Sequence, residues 1–188
     1  MTGLRRAWRQ RVAAVPAGDL VFVDESGANT AMTRTRGRAP PGERVVGRVP
    51  QGHWATLTML GALRLEGVVA AATVPCATDT PVFASFVAEA LVPALRVGDV
   101  VVWDNLSPHK AAGLAGLVAS ARASVLPLPP YSPDFSPIEP CWSKVKQFLR
   151  SAGARDEQSL GEAAQRAFAS ITAADTRGWF QGCGYCVH

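Results

Sequence analysis

Apolar residues fall in short runs separated by polar and turn-forming segments. Leu20-Val21-Phe22-Val23 is a continuous apolar run that stops at Asp24-Glu25-Ser26-Gly27, so the pattern predicts a buried strand and then a turn. Ahead of it, residues 4–15 read as a short basic helix ending before Pro16. Residues 28–52 are rich in Arg, Gly and Pro and read as a loop with one short strand near Val45-Val46. Two strands follow, about 53–63 and 66–74, with Gly61 to Gly67 as the connection of an antiparallel hairpin. Asp79 or Thr80 caps the next helix, Pro81 suits its first turn, and Val82, Phe83, Phe86, Val87 and Leu91 recur at helical spacing. Residues 97–103 read as another buried strand, ending at Asp104-Asn105, and Ser107-Pro108 opens a helix to about Ala121. Residues 124–128 form a short strand. Ser136-Pro137-Ile138-Glu139 opens a helix to about Ala152, and a last helix spans about 157–171 before a Gly- and Cys-containing tail. Early meander strands followed by alternating β and α elements predict an α/β fold, a mixed central sheet with helices on its faces.

Charge changes this picture through its distribution. The 188 residues carry a net +4. Residues 1–50 hold nine Arg against four acids, residues 51–140 four basic groups against seven acids, and residues 141–188 six against four. Basic ends around an acidic middle suit a polyanion held beside a carboxylate site; a solvated basic surface is the plainer reading. The longest nearly apolar run, Val68 to Ala77, is about half of what a bilayer span requires. The Arg-rich start lacks the apolar stretch of a signal peptide. A soluble intracellular protein is expected. Four cysteines are too few for a secreted disulfide framework of this length.

The acids that matter stand where elements end. Asp24 and Asp104 each follow an apolar strand, where open sheets place their sites. Ordinary turn chemistry also explains either one alone. Glu139 fits a capping box with Ser136. Capping does not explain the five prolines from residue 127 to residue 137, which fix a rigid lead-in to that helix. Three carboxylates within about 4 Å of one another repel by about 4 kcal/mol per pair at an effective dielectric near 20. If they converge, either one is protonated or divalent cations lie among them. Hard oxygen donors select Mg²⁺ or Mn²⁺, and a pair of such ions activates water or a 3′-hydroxyl at a phosphodiester.

Val23-Asp24-Glu25-Ser26-Gly27, Trp103-Asp104-Asn105 with His109 shortly after, and the stretch from Leu128-Pro129-Pro130-Tyr131-Ser132-Pro133-Asp134-Phe135 to Trp142 together resemble the DDE transposases of the mariner-like superfamily, in the branch of bacterial insertion sequences. The 34 residues between Asp104 and Glu139 match that group's spacing. The resemblance implies an RNase H-like fold and Mg²⁺- or Mn²⁺-dependent cleavage of DNA at transposon ends, with joining of the freed 3′-hydroxyl to target DNA. It implies two ions held by Asp24, Asp104 and Glu139. It also implies a homodimer assembled on DNA and a cytoplasmic, nucleoid-associated location. Ser136 stands where the family usually has Asn. The expected organisation is a short basic segment over 1–19 and a catalytic domain over 20–188. The helix-turn-helix modules usual before the first Asp are missing from this reading, so a separate or frameshift-fused helix-turn-helix polypeptide is the expected reader of DNA sequence.

Asn105 and His109 are candidates for contacts behind the acids or with phosphate. Arg36 and Arg38 lie in the basic stretch after the first Asp. Lys146 and Arg150 fall seven and eleven positions after Glu139, near its helix face, and are candidates for DNA phosphates. Trp142 reads as core. Cys183-x-x-Cys186-x-His188 lacks a second ligand pair and is not read as a zinc site. The rivals to a transposase are a structure-specific nuclease on the same scaffold and a truncated DNA-binding remnant.

Overall fold

The run of apolar residues from Leu20 alternates its side chains between two separate cores, and this alternation sets the architecture. The computed structural model describes residues 2–105 and 113–187. Five strands form one sheet in the order β3-β2-β1-β4-β5. They are β1 (Leu20–Asn29), β2 (Thr56–Arg64), β3 (Gly67–Val74), β4 (Val100–Val102) and β5 (Ser124–Val125). β1, β2 and β3 form an antiparallel meander, while β4 and β5 run parallel to β1. Leu20 and Phe22 of β1 pack into one core with Trp8, Val12, Ile138, Trp142, Val145 and Phe180. Val21 and Val23 pack into the other with Phe83, Phe86, Leu91, Leu114 and Val118. Period-two alternation of a strand apolar on both sides requires helices on both faces.

The first face carries α1 (Thr2–Val12), α5 (Ile138–Ala152), α6 (Glu157–Ala169) and α7 (Ala173–Gly182). The second carries α2 (Thr80–Phe86), which runs through a π-helical turn at Val87–Leu91 into α3 (Val92–Ala94), and α4 (Leu114–Ser120). Helix starts follow their caps. Asp79 accepts the Val82 amide at 3.0 Å, Asp156 accepts Ser159 at 2.8 Å, and Thr172 with Asp175 closes a capping box. α5 ends at Gly153, whose φ of 65° suits glycine. Among the described residues no helix is long and apolar enough to cross a membrane.

Several expectations are corrected. No turn follows Val23: β1 continues through Asp24-Glu25-Ser26-Gly27 to Asn29, because β2 pairs with it residue for residue, Asp24 against Gly61 and Gly27 against Thr58. Gly61 therefore lies inside β2, and the hairpin turn is Leu65-Glu66. Val45-Val46 form no strand; they are exposed in the connection between β1 and β2. The tail after Ile171 folds as α7, whose Phe180 is fully buried. The opening of the helix expected from Ser107 lies outside the described residues; its later part is α4.

Candidate active site and nucleic-acid interface

The parallel register of β1 and β4 carries the first two acids to one place. Leu20 pairs with Val100, Val21 with Val101 and Phe22 with Val102. Two residues beyond this last pair stand Asp24, within β1, and Asp104, just past the end of β4. Each shares the parity of Phe22 and Val102, which belong to the core beneath α5, so both acids lie on the α5 side of the sheet. α5 supplies the third acid: Glu139 is its second residue, and Ile138, Cys141, Trp142, Val145 and Leu149 bury the opposite stripe.

Asp24, Asp104 and Glu139 line one cleft of about 520 Å³, together with Asn105, Ser136 and the wall from Leu128 to Pro133. Asp24 is half-buried and accepts a 2.9 Å hydrogen bond from Trp142 Nε1. Burial pushes the Asp24 carboxyl up to about 7, the neighbouring Glu25 and Glu139 charges add to the rise, and the Trp142 bond works against it. Glu139 is exposed at the lip. The expected Ser136–Glu139 capping box does not form: no side chain caps α5, and the Glu139 amide bonds instead to the Ser136 carbonyl at 3.1 Å. The Glu139 side chain is thus not committed to its own helix. Among the described residues, no three His, Cys, Asp or Glu side chains are gathered closely enough to form a finished metal cage. Neighbouring carboxylates repel, so an open arrangement is the physical expectation for the protein by itself.

The donor set nevertheless fits a hard divalent cation. Three carboxylates face one cleft, and among the described residues no Lys or Arg lines it. Asp24, whose charged form is disfavoured by burial and by the neighbouring Glu25 and Glu139, would gain from a cation.

The other candidates are dispersed. Asn105 lines the cleft and donates from Nδ2 to the Leu128 carbonyl, tying the end of β4 to the residues after β5. His109 lies outside the described residues. Arg36 and Arg38 are exposed in the connection between β1 and β2 and are not among the residues that line the cleft. That connection is latched at its start by Arg155 Nη1, which donates to the Thr30 and Met32 carbonyls at 3.0 and 3.1 Å. Lys146 and Arg150 are half-buried on α5. Cys183 is half-buried and Cys186 exposed, both as free thiols.

Two contributors escape the sequence reading. Trp142 is core, as its pattern suggests, and its indole N–H also orients Asp24. Gly61 makes this possible: a Cβ there would stand 2.9 Å from Trp142 Cη2. An isolated Gly inside a strand signals just such a close approach. The second contributor is the grip on the turn before α5. Trp8 of α1 stacks on Phe135 with centroids 5.2 Å apart, Arg5 and Arg9 lie over the same ring, and Tyr185 donates to the Phe135 carbonyl at 2.6 Å.

Comparison with known proteins agrees with this geometry. The fold resembles the Mos1 transposase paired-end complex with left transposon end at a TM-score of 0.71, with 18% identity over 96% of this chain and 56% of that one. It resembles the Mos1 strand transfer complex at 0.67, with 15% identity over 97% of this chain and 55% of the other. The catalytic domain of Mos1 mariner transposase, taken alone, gives 0.66, with 14% identity over 97% and 83% of the respective chains. The chain thus has the RNase H-like fold of that catalytic domain and spans little more than half the length of the Mos1 chains in the DNA complexes. A comparison of the sequence with curated proteins gives no match. The family model of the DDE superfamily endonucleases matches residues 19–161, a span that holds all three cleft acids, and the chain belongs to that family.

Proposed function

We propose that this chain is the catalytic domain of a bacterial insertion-sequence transposase, which cleaves DNA at transposon ends and joins the freed 3′-hydroxyl to target DNA. The observation that carries this reading is the meeting of Asp24, Asp104 and Glu139, from three separate elements, in one cleft. Two Mg²⁺ or Mn²⁺ ions held by these acids would supply a nucleophile at neutral pH and charge stabilisation at the phosphodiester. Mos1 structures with Mn and with Mg are among the fold relatives. In this reading Trp142 holds Asp24 in orientation, Asn105 fixes the wall that ends at Leu128, and the uncapped Glu139 completes the ligand set. Arg36, Arg38, Lys146 and Arg150 are assigned to DNA phosphates, which position the strand without reading its sequence. His109, outside the described residues, is assigned to a contact behind the acids or with phosphate. Sequence reading belongs to a helix-turn-helix polypeptide, separate or fused by frameshifting, and the working assembly is a homodimer on DNA at the nucleoid.

The test is a supercoiled plasmid incubated with the protein and Mn²⁺, followed by an assay for joining of a labelled oligonucleotide with a free 3′-hydroxyl. Metal-dependent nicking with joining supports the reading. Nicking without joining leaves a nuclease on the same scaffold, and neither activity leaves a binding remnant.

A further inference from the structure

Tyr131 stands out on the cleft wall for two independent reasons. Its side chain is 87% exposed, although it lines the cleft that holds the three acids. Its backbone adopts a φ of 53°, in the left-handed region that disfavours bulky side chains. A lone exposed aromatic needs no explanation. A strained one does, because Gly or Asn would occupy the same backbone at lower cost.

The surroundings hold this conformation from both sides. Upstream, the Leu128 amide donates to the Trp103 carbonyl at 2.8 Å, and the Leu128 carbonyl accepts from Asn105. Downstream, the buried Ser132 hydroxyl donates to the Pro130 carbonyl at 3.2 Å and accepts from Arg5 at 2.8 Å. Between these anchors two prolines stiffen the chain. The result is a rigid arm that keeps an aromatic face in solvent at the rim of the acid cleft. It has no packing role there, since so little of the ring is covered.

Resting on the reading of this cleft as a phosphodiester site, we propose that Tyr131 is a stacking platform for one unstacked nucleobase of the DNA strand next to the scissile phosphate. Every base has a π-face, so the contact tolerates any sequence, and it holds the strand in register while the acids act on the adjoining phosphate. A platform fixed before binding loses little freedom when the base arrives.

The experiment uses the full chain and a short single-stranded oligonucleotide carrying one 2-aminopurine, with affinity read by anisotropy at low salt. Tyr131→Gly and Tyr131→Ala should weaken binding by roughly 5- to 100-fold, the range for one base–aromatic stack. Tyr131→Phe and Tyr131→Trp should bind like the parent and keep the bound 2-aminopurine emission lower than in the Gly variant. Tyr131→Gly should melt no lower than the parent, since it removes the left-handed strain. The proposal is overturned if the Gly variant binds and quenches like the parent, if Phe fails as Ala does, or if the Gly variant loses stability along with affinity. Mn²⁺ titration calorimetry on the same proteins separates the two levels. Retained Mn²⁺ binding with no Tyr131 effect sinks the platform alone, whereas no Mn²⁺ binding by the parent sinks the reading of the cleft.

Discussion

β4 has an aspartate beyond each end, and the two meet opposite fates. Asp99, before the strand, is 2% exposed and paired with Arg64, equally buried; its carboxylate also accepts the Arg96 amide at 2.7 Å. Asp104, after the strand, joins Asp24 and Glu139 in the cleft. Asp24 receives a neutral indole N–H and faces two further acids. The contrast separates two uses of a buried carboxylate. One that carries the chain's own cation is a strut, here joining the end of β2 to the start of β4. One set among other acids, as Asp24 is, has its charged form disfavoured, and in the proposed reading a divalent cation from outside relieves it. Stability and activity should therefore divide between the two ends of one short strand.

The widest separation should come from breaking each end in turn. Glu139→Gln removes a charge from the cleft without removing a capping bond, since none is made. Cleavage should fall by about three orders of magnitude, several kcal/mol of barrier, with the melting temperature almost unchanged. Arg64→Met leaves Asp99 buried and unpaired and should cost about 3–5 kcal/mol. At about 2–4 °C per kcal/mol for a domain of this size, thermal unfolding shows this easily. Arg64→Met with Asp99→Leu should recover most of the loss, because buried Arg64 Nε has no hydrogen-bond partner among the described residues even in the parent, and an apolar pair removes that cost. A Glu139→Gln protein that unfolds like Arg64→Met would break the division.

A pH series sharpens it. The Asp24 carboxyl titrates at about 7 in the folded protein, against an ordinary value of 3.8. Between those values the folded state binds the extra proton, so stability falls as pH rises from about 4 to 7 and the full penalty is present above 7. Asp24→Asn keeps an acceptor for Trp142 and has no such charge. It should be more stable than the parent by about 2–4 kcal/mol at pH 8 without divalent ions, and by much less at pH 5. Added Mn²⁺ should close the gap at pH 8 by stabilising the parent alone. A gap independent of pH would remove Asp24 from the ligand side of the comparison.

Gly61→Ala probes how the cleft acid is held. The new Cβ meets the Trp142 ring, and overpacking of this kind costs about 1–3 kcal/mol. The larger consequence is local. Once the indole shifts, Asp24 loses the bond that opposes its raised pKa, so metal affinity should change more than stability does. Calorimetry with Mn²⁺ beside thermal unfolding tests this; equal losses in both would make Trp142 a packing residue only.

These two ends were unequally legible in the sequence. The three acids were visible because strand ends and a proline-fixed helix start mark positions locally, and the 34-residue spacing matched a family. The alternation of Leu20 to Val23 gave a buried strand in the same local way. Asp24 nevertheless reads as a turn residue, because polar residues in sequence normally end a strand, and only the pairing with β2 shows that this one continues. Gly61 reads as part of a turn for the same reason: its neighbour across space is Trp142, 81 positions away. The Arg64–Asp99 strut left no mark at all. Its partners are 35 residues apart, and each reads alone as a surface charge near a turn.

The smallest effect comes from an acid of a third kind, one with its own cation but in reach of water. Asp175 accepts from Lys144 Nζ at 2.5 Å and from the amide and hydroxyl of Thr172, and these bonds hold its carboxyl down to about 2. The sign is opposite to that of Asp24: the stability it adds is present above the ordinary 3.8 and is lost as pH falls through about 2. Its size is limited by exposure. The side chains of Lys144 and Asp175 are 37% and 25% exposed, so solvent and salt screen the pair. Asp175→Asn retains an acceptor for the start of α7 and should cost about 1 kcal/mol or less at pH 7, shrinking further in high salt. At neutral pH the Arg64 variant should show little of that salt dependence, since its pair is out of the ionic atmosphere. Unfolding both variants at low and high salt decides whether burial is what separates them. If Asp175→Asn costs as much as Arg64→Met, a paired carboxylate is a strut wherever it stands, and burial drops out of the comparison.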